Sequence, residues 1–486
     1  MAHPTIIQGG MGTGVSNWRL ARTVSLLGEL GVVSGTALDV ILARRLQEGD
    51  PDGDLRRAFA QFPIPGVAQR VLDRYFIPGG KPAGQAFKPV PLLSNQLGKA
   101  QMELLILANF TEVYLAKEGH EGVVGINFLH KIQLPALPSI YGAMLAGVNY
   151  VLMGAGIPMA IPGILDQLAR GEVVRMKLDV EETTPGEEYY SSFDPTEFTG
   201  APAPILNRPF FLAIISSYVL ALTLAKKASG HVDGFVVEGP TAGGHNAPPR
   251  GALQLNERGE PVYGPRDIPE LEKLRALGRP FWMAGSFASP EKLAEALACG
   301  ASGVQVGTAF AFCDESGIEP ELKAKVLHGI RTGTLDVFTD PLASPTGFPF
   351  KVVGVGGTIS ELETYTARDR VCDLGYLRRP YRKSEGSIGF RCPGEPEAHF
   401  VGKGGTIEET CGRKCICNGL LSTIGLGQVH SDGYREPALV TAGDDILGLM
   451  RFLGTDSDHY GAAVVIERLL GHSAPHREAV EAAHGV

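Results

Sequence analysis

Short apolar runs recur along the first two thirds of this chain, and between them apolar residues return every three to four positions. The runs at 5–8, 31–34, 123–128, 150–153, 210–215, 234–238, 281–284 and 303–306 read as eight strands. Wholly apolar stretches such as Phe235-Val236-Val237 suit strands buried on both faces, as parallel strands are. The intervening helices carry their own punctuation. Ser16 or Asn17 can cap a helix that puts Leu20, Val24 and Leu27 on one face. Ser289, with Pro290 in the first turn, starts another through Leu293, Ala296 and Leu297, and Gly300 stops it. Strand and helix alternating eight times predict an α/β fold, the TIM (β/α)8 barrel.

The rhythm breaks twice inside the barrel and then ends. Residues 39–122 are too long for one connection and read as an insertion after strand 2, over one end of the barrel, with helix-like 55–62 and 100–108 around a Pro/Gly loop at 78–82. Residues 177–203 are polar and proline-punctuated, which suggests a lid or a hairpin. Past Pro341 the alternation stops, so the barrel is assigned to 1–350 and a C-terminal extension to 351–486. No repeat of 20 to 50 residues is evident.

From 132 to 165 no side chain is charged, yet Pro135, Pro138, Pro158 and Pro162 cut the run far below the ~20 residues of a membrane helix. The 210–224 run is shorter still, and no membrane span is expected. Lys and Arg number 44 against 53 Asp and Glu, a net charge of −9, without the basic footprint of a nucleic-acid binder. Small-molecule chemistry is favoured. The N-terminus lacks a charged segment followed by an apolar one, which points to the cytoplasm. Seven cysteines, an odd number, argue for thiols or metal ligands over a disulfide framework.

Of the 63 glycines, several cluster where strands end, and that is the end at which a barrel builds its ligand site. Gly9, Gly10, Met11 and Gly12 follow the first strand, where consecutive glycines let a flat ring approach backbone. Gly285-Ser286 and Gly307-Thr308 follow the seventh and eighth strands, the usual place for a phosphate cradle of backbone N–H groups. His245 follows Gly243-Gly244 after the sixth strand and is a candidate proton carrier. No G-x-G-x-x-G unit offers a dinucleotide site. Cys411, Cys415 and Cys417, with Cys372 and Cys392 upstream, form a C-x3-C-x-C element that can help hold zinc or an iron–sulfur cluster.

Taken in barrel order, Ile6-Ile7-Gln8-Gly9-Gly10-Met11, Gly125-Ile126-Asn127-Phe128, Ala242-Gly243-Gly244-His245, Ala284-Gly285-Ser286 and Gln305-Val306-Gly307-Thr308 resemble the nitronate monooxygenase (2-nitropropane dioxygenase) family. That family is related to the FMN-dependent enoyl-acyl-carrier-protein reductases. The resemblance spans roughly residues 4–350 and implies an FMN-dependent TIM-barrel oxidoreductase. It places Gly10 and Met11 by the flavin ring and Asn127 in hydrogen bond to it. Gly243 and Gly244 line the phosphate or substrate side, Gly285, Ser286, Gly307 and Thr308 hold the phosphate, and His245 is the catalytic histidine. It further implies either oxidation of a nitronate by O2 to a carbonyl compound and nitrite, or NAD(P)H-dependent reduction of an enoyl thioester. The second brings an acyl carrier protein into view as partner, and a homo-oligomer fits either. The chain departs from the family at Asn246-Ala247-Pro248-Pro249, in the long insertion and in the extension. Those departures leave room for a third reading, a flavin-binding subunit without catalysis.

Overall fold

The computed structural model describes residues 3–454 and 457–471. Eight parallel strands form one sheet: β1 (Ile6–Gln8), β2 (Gly31–Ser34), β3 (Val124–Leu129), β4 (Tyr150–Gly154), β5 (Phe210–Ile215), β6 (Gly234–Glu238), β7 (Phe281–Ala284) and β8 (Gly303–Val306). Their order is β1-β8-β7-β6-β5-β4-β3-β2. Hydrogen bonds from Gln8 N to Leu30 O (2.9 Å) and Leu30 N to Ile6 O (3.1 Å) tie β1 to the approach of β2 and close the barrel. All eight expected strands form, with ends displaced by one residue at most.

The alternation of side chains along the strands separates two cores. Ile7, Val32, Leu152, Leu212, Val236 and Trp282 fill the barrel interior. Their neighbours in sequence, such as Ile6, Val33, Val151, Phe211 and Phe235, pack outward against the helices. Asn17 is the first helix's cap, accepting from Leu20 N at 3.0 Å. Ser289 caps Pro290–Ala298 as expected.

Four helices lie between β2 and β3: Leu38–Gln47, Asp54–Phe59, Val67–Tyr75 and Lys99–Lys117. The last is twice the length expected from 100–108. It packs on Trp18–Leu26 and Ala136–Leu145, the barrel's own neighbouring helices, so it is the second barrel helix and the added material is what precedes it. The polar block after the fourth strand is a hairpin, Val174–Leu178 against Tyr189–Phe193. A second hairpin, Val337–Asp340 with Phe350–Val353, leads from the barrel into the extension. The extension folds back over the barrel: Val355, Leu374, Leu421, Val440 and Phe452 belong to the same continuous core as the barrel helices. Its last described helix, Ala462–Leu470, packs on Trp18–Leu26 and Pro290–Ala298. No described helix is long and apolar enough to cross a membrane.

Candidate active site

The loop after β1 is held rigid by two buried side chains. Gln8 accepts from Val32 N through Oε1 (3.0 Å) and donates through Nε2 to Ser16 Oγ (2.8 Å). Ser16 Oγ in turn donates to Gly9 O (2.8 Å) and accepts from Met11 N (2.9 Å). Ser16 is therefore committed to the loop, which leaves the helix cap to Asn17. A Cβ on Gly10 would fall 2.3 Å from Asn127 Cβ, so the backbone there lies flat against β3 only because the residue is glycine.

A cavity with about 2280 Å³ of empty space, part of it open to solvent, stands over the C-terminal ends of the strands. Gly9, Gly10, Met11, Gly12, Asn127, Gly243, Gly244, His245, Gly285, Ser286, Gly307 and Thr308 all line it. The barrel thus brings together every residue expected at a cofactor or catalytic position. Asn127 Nδ2 donates to Gly10 O at 3.3 Å, while its Oδ1 is buried and accepts nothing. Gln305 Oε1, on the same cavity, is likewise without a donor. Buried acceptors without donors each cost about 1–3 kcal/mol, so two in one cavity call for a ligand that donates.

His245 Nε2 is hydrogen-bonded to Ser344 Oγ at 2.6 Å, and its ring meets Phe350 edge-on at 4.8 Å. Burial, with Lys131 nearby, pushes its pKa down to about 3, so the imidazole is neutral at physiological pH. Burial also brings Lys131 down to about 8; its ammonium sits 3.5 Å from the Phe348 ring centroid. Glu238, the last residue of β6, lines the same cavity, and burial raises its carboxyl to about 7. Asn246, where the family pattern is broken, is buried and anchors its loop: Nδ2 donates to Ala242 O and its N–H to Pro349 O, both at 2.9 Å.

Gly285 and Ser286 both adopt left-handed backbone, φ +96° and +58°. A Cβ on Gly285 would approach Thr241 Oγ1 to 2.9 Å. The hydroxyl of Thr308 is engaged from the extension: Gly443 N donates to it at 2.9 Å, with the half-buried Asp445 two residues on. What these two turns leave open to an anion is their backbone. The extension roofs the cavity with Leu374, Tyr376, Leu377, Cys417 and Leu439. Tyr376 is fixed by a hydrogen bond to the buried carboxylate of Asp39.

The expected metal set does not assemble. Among the described residues no three His, Cys, Asp or Glu side chains converge as ligands of a metal ion. Cys411 is exposed, its thiol directed to Ile407 O at 3.7 Å, whereas Cys415 and Cys417 point inward on the following helix. Sequence reasoning passed over Glu238, Lys131, Ser344 and Asp445. Glu238 alone left a signal, as a carboxylate closing an apolar strand at the ligand end of the barrel.

Residues 208–336 match the family model described as nitronate monooxygenase. A probable nitronate monooxygenase of Bacillus subtilis (strain 168) is 38% identical over 104 residues, covering 21% of this chain and 28% of that protein. One of Staphylococcus haemolyticus (strain JCSC1435) is 36% identical over 112 residues, covering 22% and 30%. The chain therefore matches less than a third of the length of these curated relatives. Among solved structures, FabK from Thermotoga maritima aligns over 100% of this chain and 96% of its own, with a TM-score of 0.48 and 16% identity. Nitroalkane oxidase from Streptomyces ansochromogenes aligns over 98% and 97%, with a TM-score of 0.41 and 16% identity. The matched residues 208–336 run from β5 past β8 and include His245 and both glycine turns, so over this stretch the chain is similar to the nitronate monooxygenase family.

Proposed function

We propose that this protein is an FMN-dependent oxidoreductase that oxidises a nitronate with O2 to a carbonyl compound and nitrite. The observation that carries the flavin is the pair of donorless buried acceptors, Asn127 Oδ1 and Gln305 Oε1, above a floor that only glycine at position 10 permits. A flat heterocycle with an N–H edge answers both. When bound, FMN supplies an electron-accepting ring. Gly9 to Gly12 give that ring a flat bed, and the backbone of the Gly285-Ser286 and Gly307-Thr308 turns offers N–H groups to its phosphate. The sequence contains no G-x-G-x-x-G unit for a second nucleotide, so cofactor released by acid should run as FMN; FAD would refute this.

His245 fits an anionic substrate that needs no deprotonation. It is neutral and a weak base, held by Ser344, and serves to hydrogen-bond and orient the substrate rather than to remove a proton. Lys131 beside it adds a positive field that favours a nitronate. The family match at 208–336 supports the same reading.

Glu238 favours a second reading, reduction of an enoyl thioester by NAD(P)H. That reaction needs a proton for the carbon that receives no hydride, and a carboxyl near 7 in the cavity is suited to deliver one. Anaerobic mixing separates the two. Bleaching of the yellow protein by a nitronate and not by NADPH supports the monooxygenase, and rapid bleaching by NADPH overturns it in favour of the reductase. A yellow protein inert to both is a flavin-binding subunit, and neither reaction stands.

A further inference from the structure

The ring of His245 is gripped from the loop of the connecting hairpin, residues 341–349. Backbone pairing sets the approach: Asn246 N donates to Pro349 O at 2.9 Å and Lys351 N to Gly244 O at 3.0 Å, so the chain around His245 runs antiparallel to that around Phe350. The loop is strapped in turn by the extension. Arg413 donates through Nη1 to Leu342 O (2.7 Å) and Ser344 O (2.6 Å), and Lys414 N donates to Ala343 O at 2.9 Å. From another side Lys131 Nζ donates to Thr346 O at 3.0 Å. Ser344 is thereby fully buried, with its hydroxyl against His245 Nε2.

The hydroxyls of Ser344 and Thr346 form a chain with one direction. Ser344 Oγ lies 2.6 Å from His245 Nε2 and 2.8 Å from Thr346 Oγ1, and it accepts from Thr346 N at 3.2 Å. Thr346 Oγ1 accepts from Phe348 N at 3.4 Å. A hydroxyl has one proton to give and two lone pairs. Among the described residues the Thr346 hydroxyl has no acceptor but Ser344 Oγ, so its proton goes there. That fills both lone pairs of Ser344 Oγ and turns the Ser344 proton to Nε2. A neutral imidazole that accepts at Nε2 carries its proton on Nδ1. Nδ1 has no partner among the described residues, and His245 lines the main cavity. In the opposite direction the Thr346 proton would find no acceptor among them.

We propose that Ser344, backed by Thr346, is a positioning residue that holds His245 as the Nδ1–H tautomer and so presents an N–H donor to a substrate oxygen. The consequence for catalysis rests on the proposed function, in which the bound molecule brings an anionic nitronate oxygen; the thioester carbonyl of the second reading would use the same donor. Without the hydroxyl chain no described group selects the tautomer, and the Nε2–H form turns a lone pair toward the oxygen in place of a proton. A site built this way admits a substrate that accepts a hydrogen bond at this point and disfavours one that presents a hydroxyl or amine donor.

The test is nitrogen NMR of the full-length protein carrying isotopically labelled histidine rings, with the His245 signals identified by their loss in His245→Ala. The expected spectrum has a protonated Nδ1 and an unprotonated Nε2 for His245. Ser344→Ala should move both signals toward the Nε2–H form, Thr346→Val should do so in part, and Thr346→Ser, which keeps the hydroxyl, should retain the wild-type signals. With a substrate that bleaches the flavin, Ser344→Ala should lower kcat roughly 10-fold, the worth of one neutral hydrogen bond, at unchanged flavin content. If Ser344→Ala fails to fold, the wild-type tautomer and the two Thr346 variants still decide. A wild-type ring protonated on Nε2, or ring signals that Ser344→Ala leaves in place, refutes the proposal. A protein that neither a nitronate nor NADPH bleaches overturns the proposed function, and the spectra decide the tautomer without it.

Discussion

Burial moves His245 and Glu238 in opposite directions along the pH scale, although both face one cavity. Taking charge out of water disfavours the cation of one and the anion of the other. His245, pushed to about 3, contributes no titration between pH 5 and 8, whereas Glu238 titrates near 7. A pH–rate profile should therefore show an inflection near 7 from Glu238 beside that of Lys131 near 8, and Glu238→Gln should remove the first alone; an inflection near 7 that persists would belong to another group. The same shift bears on stability. The folded state favours the protonated carboxyl, so this contribution is present below about 4.5 and is lost as pH rises through about 7. Thermal melts of Glu238→Gln should accordingly show a flatter pH dependence over that window. For His245→Ala we expect folded, yellow protein with turnover lowered by ~10²–10³, the cost of losing one positioned hydrogen-bonding group. Normal turnover, or failure through loss of flavin alone, would assign His245 a different role.

At the scale of elements, the turn after β7 and the body of the extension each depend on one feature. Gly285 has φ +96° and no room on the Thr241 side, so Gly285→Ala strains the turn that offers backbone to the phosphate. Its ratio of flavin to protein absorbance should fall sharply while the circular dichroism stays native. In the extension, Arg368 and Glu436 form an ion pair at 3.1 Å whose side chains are 1% and 2% exposed. Tyr434 Oη also donates to Glu436 at 2.8 Å. Removing the cation by Arg368→Ala would leave a buried carboxylate half-satisfied and should cost about 3–5 kcal/mol in denaturant unfolding. A change below 1 kcal/mol would mean that water reaches the pair.

For the whole molecule, the extension is integral to the barrel and not an appended domain. It seals the cavity with Tyr376 and Leu439, engages Thr308 through Gly443, and places Leu421, Val440 and Phe452 in the barrel's continuous core. Lys351 reaches Asp444 at 2.6 Å, joining the connecting hairpin to the segment after it. The cluster shared by barrel helices and extension couples their unfolding. Scanning calorimetry should show a single transition in which barrel and extension unfold together; two resolved transitions would mean that barrel and extension fold independently.

Local order along the chain was enough to determine the eight strands, their parallel arrangement and the glycine and histidine motifs at their ends. Those features depend on side-chain alternation, caps and breakers within a few residues of one another, as with Asn17, Ser289 and Gly300. The barrel then gathers every strand end at one mouth, so motif order alone placed Gly10, Asn127, His245, Gly285 and Thr308 around one cavity. Burial and long-range pairing are not written locally, and the tertiary structure alone decided what depends on them. It made His245 a weak base and Glu238 an acid near neutrality, and gave the Thr308 hydroxyl to the extension. It also turned Lys99–Lys117 into a barrel helix, because a helix's place is set by the face it buries and not by its distance from the neighbouring strand. The cysteines show the same division: spacing grouped Cys411 with Cys415 and Cys417, whereas folding left Cys411 in solvent and brought Cys372 and Cys392, from earlier in the chain, beside Cys415 and Cys417 at a second, small cavity.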